Sequence, residues 1–217
     1  LRSATKKPYL SCEYMHSMGN SVGGLQLYTA LESYPEYGGG FMWDLVDQAL
    51  YHEATAASGG EFLAYGGDFG ERPCDWEFSC DGILFADRTP KPQAQAVKAL
   101  YSPVTLTPSS DGIAVSAVAL PAPASDLCIR ARVLADGEVA WEETYEAVAA
   151  PGEESAVAMS WPSDLLADTQ REIVLEAALV LASDTPWCEA GHVVSVGQTI
   201  HSRPEVADTA PAGGASF

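Results

Sequence analysis

The chain has 217 residues, 11 basic against 30 acidic side chains for a formal net charge of −19, and a hydrophobic share of 47%. That length allows one large domain or two small ones with a packed core, and so acidic a surface makes nucleic acid a poor partner because it repels phosphate backbones. No segment approaches the roughly eighteen consecutive apolar residues of a membrane helix, which argues against a membrane partner.

The first residues, Leu1-Arg2-Ser3-Ala4-Thr5-Lys6-Lys7, carry neither the apolar stretch of a signal peptide nor an initiator Met. The chain is therefore expected to begin inside a longer polypeptide. Pro8-Tyr9-Leu10-Ser11-Cys12-Glu13-Tyr14 reads as a short buried strand. Gly19-Asn20 supplies a turn and Ser21 an N-cap. Val22, Leu25, Tyr28, Leu31 and Tyr34 then recur at helical spacing until Pro35 stops the pattern. After Gly38-Gly39-Gly40, the run Phe41–Val46 is apolar enough to be buried on both faces. Strand, helix and strand in this order form the unit of a parallel sheet. Two parallel strands alone cannot close a sheet or bury their faces, so this half is expected to need strands from outside the chain.

Residues 51–90 hold no sustained period and are expected to form a long functional loop. Thr89-Pro90-Lys91-Pro92 opens a last helix that carries Val97, Leu100 and Tyr101 inward. Past Pro103 the pattern changes. Val104–Leu106, Ile113–Leu120, Leu127–Leu134, Val139–Tyr145, Ala156–Trp161, Ile173–Leu181 and Val193–Ile200 are short runs punctuated by Pro, Gly, Asp or Ser. Such a series predicts an antiparallel sandwich of immunoglobulin type. The charge shifts at the same point: residues 103–217 hold 4 basic and 17 acidic side chains. Two units are expected, with a disordered tail over residues 204–217.

Cysteines stand at 12, 74, 80, 128 and 188, an odd number without a C-x-x-C pair or a Cys/His cluster for zinc. Reduced thiols in a cytoplasmic protein are the simplest reading, with Cys12 a small buried side chain. Polar residues at the C-terminal ends of buried parallel strands are where barrel enzymes keep their chemistry. Glu13 and Asp44 occupy such ends, with His16 and Asn20 just after the first. Spacing leaves a base, a nucleophile, a metal ligand and a purely structural role all open. As neighbours ~4.8 Å apart, Glu13 and Asp44 can also be read as a self-contained acid/nucleophile pair.

Five blocks then carry a resemblance. They are Lys7-Pro8-Tyr9-Leu10-Ser11-Cys12-Glu13-Tyr14-Met15-His16-Ser17-Met18-Gly19-Asn20-Ser21, Gly39-Gly40-Phe41-Met42-Trp43-Asp44-Leu45-Val46-Asp47-Gln48, Tyr65-Gly66-Gly67-Asp68-Phe69-Gly70, Phe78-Ser79-Cys80-Asp81-Gly82-Ile83-Leu84-Phe85-Ala86-Asp87-Arg88-Thr89-Pro90 and Trp187-Cys188-Glu189-Ala190-Gly191-His192. In this order they resemble the β-galactosidases of glycoside hydrolase family 2. The core around Glu13 favours galactosidases over the related glucuronidases and mannosidases.

The resemblance implies an α/β segment followed by an all-β domain. Residues 1–102 would be the last two strand–helix units of a (β/α)8 barrel, and residues 103–203 an immunoglobulin-like β-sandwich. It implies that Glu13 is the nucleophile of a retaining β-galactosidase, forming a covalent galactosyl-enzyme. His16 would contact galactosyl hydroxyls, its alternative being a turn histidine that holds Glu13. Trp43 would be the flat platform for the sugar, Asp44 structural, and the Phe78 carbonyl and Asp81 ligands of a sodium ion. The acid/base carboxylate and the magnesium ligands would come from earlier strands of the same polypeptide, so that the 217 residues alone are inactive. The full-length enzyme would be a cytoplasmic homo-oligomer. Two positions depart from the pattern. Asp81 stands where some relatives carry Asn, and Cys74 stands at a secondary magnesium position where a thiol is a poor ligand. A non-catalytic binding or assembly role, and action on another β-glycoside, are the competing readings.

Overall fold

A computed structural model describes residues 7–53, 60–147 and 151–204 and divides the chain into two units, Leu1–Tyr101 and Ser102–Phe217. In the first, β1 (Tyr9–Tyr14) pairs in parallel with β2 (Tyr37–Met42), Tyr9 opposite Tyr37 and Tyr14 opposite Met42. The crossover is shorter than its periodicity predicts: α1 spans Leu25–Thr29 and passes into a 3-10 turn over Ala30–Ser33. Thr29 and Ser33 hydroxyls donate back to the carbonyls of Gln26 and Ala30, local bonds that compete with a longer α-helix. Gly24, not Ser21, occupies the N-cap; the Ser21 hydroxyl instead donates to the His16 carbonyl at 2.7 Å.

Burial in this unit also departs from expectation. Cys12 is exposed, and Phe41 retains 64% of its surface, in keeping with a sheet of two strands among the described residues. The segment read as a single long loop contains an antiparallel hairpin, β3 (Leu50–Glu53) with β4 (Glu61–Ala64). Residues 54–59 between them lie outside the described residues. A 3-10 turn follows at Trp76–Ser79, then α2 at Ala94–Leu100. Of the three α2 residues expected inside, only Val97 is buried. Leu100 and Tyr101 are exposed, though the Tyr101 hydroxyl reaches the Tyr14 hydroxyl. Val97 joins Tyr14, Val22 and Leu25 in a small cluster, where the Tyr14 and Tyr28 rings stack 4.7 Å apart. Burial and the Tyr101 hydroxyl together push the Tyr14 phenol well above the usual tyrosine range.

The second unit holds β5 (Val104–Ser109), β6 (Gly112–Ala117), β7 (Leu127–Ala135), β8 (Glu138–Glu146), β9 (Glu154–Ala158), β10 (Ile173–Leu181) and β11 (Val193–Ser202), with one helical turn, α3, at Ser163–Leu166. They form an antiparallel sheet β5-β6-β9 and another in the order β11-β10-β7-β8. Alternation sets the inner face: Leu127, Ile129, Ala131, Val133 and Ala135 on β7 meet Ile173, Leu175, Ala177, Leu179 and Leu181 on β10 in one buried cluster. Trp161 closes it, its indole N–H donating to the Ser109 carbonyl at 2.7 Å and its ring lying edge-on to Trp141 at 5.8 Å. The two sheets meet closely where β11 crosses β5. There the Ser195 hydroxyl donates to the Val104 carbonyl at 2.7 Å, and a Cβ on Gly197 would lie 1.8 Å from the Leu106 carbonyl oxygen. Residues 205–217, most of the tail expected to be disordered, lie outside the described residues.

Candidate active site

Glu13 is the fifth residue of β1, at the C-terminal end of a parallel strand. Its Oε2 lies 2.9 Å from His16 Nε2, and both side chains are about half exposed. The irregular segment that follows β1 places the imidazole against the carboxylate.

The next layer is a convergence of backbones. Ser17 N–H donates to the carbonyls of both Trp43 and Asp81, each at 3.1 Å. Trp43 N–H donates to the Tyr14 carbonyl at 3.0 Å, and Asp44 N–H to the Asp81 carbonyl at 2.7 Å. Residues following Glu13, the Trp43–Asp44 segment and the loop around Asp81 are thus tied at a single peptide group. The Trp43–Asp44 peptide bond is cis.

Trp43 lies one residue past β2 and leaves much of its ring exposed. Asp44 is engaged by its own loop: Oδ1 accepts the Leu45 N–H at 2.5 Å and Oδ2 the Gln48 amide at 3.2 Å. Both Asp44 carboxylate oxygens thus have partners within the same loop. Phe78 sits in the 3-10 turn with an exposed ring. Asp81, by contrast, is 4% exposed, and its Oδ1 is buried with no hydrogen-bond partner among the described residues. A buried carboxylate oxygen without a donor is costly unless a cation meets it, and oxygen ligands suit a hard cation. Among the described residues no group of three His, Cys, Asp or Glu side chains gathers as a metal cage. The orphaned Asp81 oxygen is a donor of the kind that a hard cation takes.

Two residues that the sequence reading passed over stand behind this layer. Asp47 and Lys91 form an ion pair of 2.7 Å with side chains 8% and 7% exposed. Asp47 lies in the Gly39-to-Gln48 block and Lys91 between two prolines, but an ionic residue in a short motif gives no sign of burial. Burial also pushes the nearby Cys80 thiol up, Asp47 adding to the effect. A cavity of about 450 Å³ lies alongside, between Gln48, Leu50, Tyr65, Phe69, Glu71 and Ser79. In it the Gly67 N–H bonded to Glu71 is the main influence holding that carboxyl below its usual range. The Trp187-to-His192 block belongs to the second unit, where it shapes the β10–β11 loop; Trp187 lies edge-on to His192 at 5.7 Å.

Comparison with known proteins places this geometry in context. Residues 1–106 match the model of the glycosyl hydrolases family 2 TIM barrel domain, and residues 122–202 that of β-galactosidase domain 4. The β-galactosidase BgaC of Bifidobacterium adolescentis is 44% identical over 211 residues, covering 97% of this chain and 20% of that protein. A β-galactosidase of Streptococcus thermophilus is 44% identical over 200 residues, 92% of this chain and 19% of that protein. A β-galactosidase large subunit of Leuconostoc lactis reaches 56% identity over 97 residues, 44% of this chain and 15% of that protein. The chain thus spans about a fifth of the length of the first two relatives.

Proposed function

The chain belongs to glycoside hydrolase family 2, and from that membership we propose that it is the nucleophile-bearing part of a retaining β-galactosidase. The observation that carries the reading is Glu13: a carboxylate at the end of a parallel strand, oriented by His16 at 2.9 Å, within the stretch similar to the barrel domain. Glu13 attacks the anomeric carbon of a terminal β-galactosyl group. The C1–O bond to the aglycone breaks as the leaving oxygen takes a proton from a second carboxyl group. Water, deprotonated by that same group, then attacks C1 and releases galactose and the Glu13 carboxylate. Two carboxyl groups ~5–5.5 Å apart suit this route. Asp44 is occupied by Leu45 and Gln48, which supports an acid/base from an earlier part of the same polypeptide.

Trp43 offers an amphipathic ring on which the sugar face stacks, and His16 a ring nitrogen for its hydroxyls. The orphaned Asp81 oxygen, with the Phe78 carbonyl, would hold a sodium ion, which supplies a positive charge to the sugar's hydroxyls. Magnesium, where the whole enzyme uses it, takes ligands from outside these 217 residues. The β1–α1–β2 and following α2 elements belong to an eight-stranded barrel, and the seven antiparallel strands to an immunoglobulin-like sandwich. No helix among the described residues is long and apolar enough to cross a membrane. Five free thiols suit the cytoplasm, and the whole enzyme is a homo-oligomer in this reading.

The test is hydrolysis of nitrophenyl β-galactoside, β-glucuronide and β-mannoside by the full-length protein and by residues 1–217 alone. The expected result is galactoside turnover by the full-length protein only. Preference for another glycoside would refute the substrate, and turnover by the isolated chain would return Asp44 to the role of second carboxylate.

A further inference from the structure

We infer that Asp47 and Lys91 are positioning residues for the sugar site, acting as a clamp on either side of Asp81. The inference rests on the β-galactosidase reading and concerns how its site is held. Asp47 Oδ1 accepts two hydrogen bonds, from Lys91 Nζ at 2.7 Å and from the Gly82 N–H at 2.8 Å. Lys91 Nζ donates in addition to the Cys80 carbonyl at 3.2 Å. The residue before Asp81 is therefore held by the ammonium and the residue after it by the carboxylate. Between them the Asp81 carbonyl accepts from Ser17 N–H and Asp44 N–H, the meeting point of the three segments that bear Glu13, Trp43 and Asp81.

The surrounding backbone shows why a clamp is possible here. Ile83 N–H donates to the Asp44 carbonyl at 2.9 Å, Leu84 N–H to the Leu45 carbonyl at 3.0 Å and Asp47 N–H to the Leu84 carbonyl at 3.0 Å. Lys91 N–H closes the circuit on the Ile83 carbonyl at 3.0 Å. Gly82 is seated so tightly that a Cβ would fall 2.2 Å from the Asp47 nitrogen and 2.4 Å from the Val46 carbonyl carbon. With no room to shift inward, the Asp81 peptide follows whatever holds Cys80 and Gly82. A buried ion pair contributes little net stability against a neutral pair of similar shape, because desolvation offsets the attraction. Its contribution here is directional: two charged groups fix two main-chain groups, the Cys80 carbonyl and the Gly82 N–H, in a way that apolar side chains cannot reproduce.

The experiment uses the full-length protein with Lys91→Met, Asp47→Asn and the double substitution. Thermal melting is measured for each, together with KM and kcat for nitrophenyl galactoside and the Kd of a non-hydrolysed thiogalactoside, all well below each melting point. Each single variant is expected to melt lower, since it leaves one buried charge without its partner. The double variant is expected to melt close to the parent, yet to bind the thiogalactoside about tenfold more weakly with a matching rise in KM. A double variant with both melting point and Kd restored would overturn the inference, as would loss of the folded state in all three variants. A merely structural pair would lower the active fraction and leave KM and Kd unchanged. If the parent protein itself binds no galactoside, the β-galactosidase reading fails and the clamp's stated purpose with it.

Discussion

Leu179→Ala in the second unit tests the physical basis of the fold. Leu179 lies in β10, opposite Ile129 of β7 and Ser195 of β11, and is 0% exposed. The substitution removes three carbons, worth about 0.8 kcal/mol each in lost burial, or ~2.4 kcal/mol together. Neighbours on both sides are paired along their strands and close the gap only in part, so the residual cavity adds roughly 1 kcal/mol. The total of about 3.5 kcal/mol falls within the ~2–5 kcal/mol range of buried Leu→Ala changes. At ~4–8 °C per kcal/mol for a domain near this size, the melting point of the second unit should fall by roughly 14–28 °C. Calorimetry on the chain, with near-ultraviolet dichroism of Trp141 and Trp161 as reporter, checks it. Val118→Ala is the control: Val118 keeps 83% of its surface, so its loss should cost under about 0.5 kcal/mol. A Leu179→Ala effect no larger than that of the control would show that the two sheets do not enclose a common core.

Glu13→Gln in the full-length protein keeps the shape and the His16 contact but removes the charge; folding and galactoside binding should persist while turnover falls by orders of magnitude. Glu13→Ala with added azide should yield the α-galactosyl azide, and a β-azide would mean that Glu13 is the acid/base rather than the nucleophile. Gly197→Ala should unfold the second unit or lower its melting point sharply, because the new Cβ meets the Leu106 carbonyl; melting curves would detect a tolerated substitution at once. Asp168 is held below the usual carboxylate range by the Arg171 side chain first and by the Gln170 N–H next. A depressed carboxyl adds stability above its unfolded value of ~3.9 and loses it as pH falls through the folded value, so Asp168→Asn should flatten the acid side of the stability profile. An unchanged profile would remove Asp168 from the account. Limited proteolysis should cut the first unit sooner than the second, since among the described residues its main buried cluster holds four residues against seventeen; equal protection would refute that contrast.

What the sequence determined by itself follows from local period and local chemistry. Seven runs past Pro103 correspond to seven strands because each is a short, largely apolar stretch bounded by Pro, Gly, Asp or Ser, as Leu127–Ala135 is by Asp126 and Asp136. Glu13 and His16, three residues apart where β1 gives way to irregular backbone, likewise lie close enough in sequence to meet locally. What only the tertiary structure decided depends on partners distant along the chain. Phe41 and Cys12 look like core by composition, yet burial requires a neighbouring layer, and among the described residues their sheet has two strands. The α1 pattern promised a longer helix, but hydroxyl-to-carbonyl bonds at Thr29 and Ser33 competed with it. Asp47 and Lys91, 44 residues apart, pass in sequence for solvated charges. Only the fold brings them together, where the Gly82 N–H and the Cys80 carbonyl complete hydrogen bonds that no local pattern encodes.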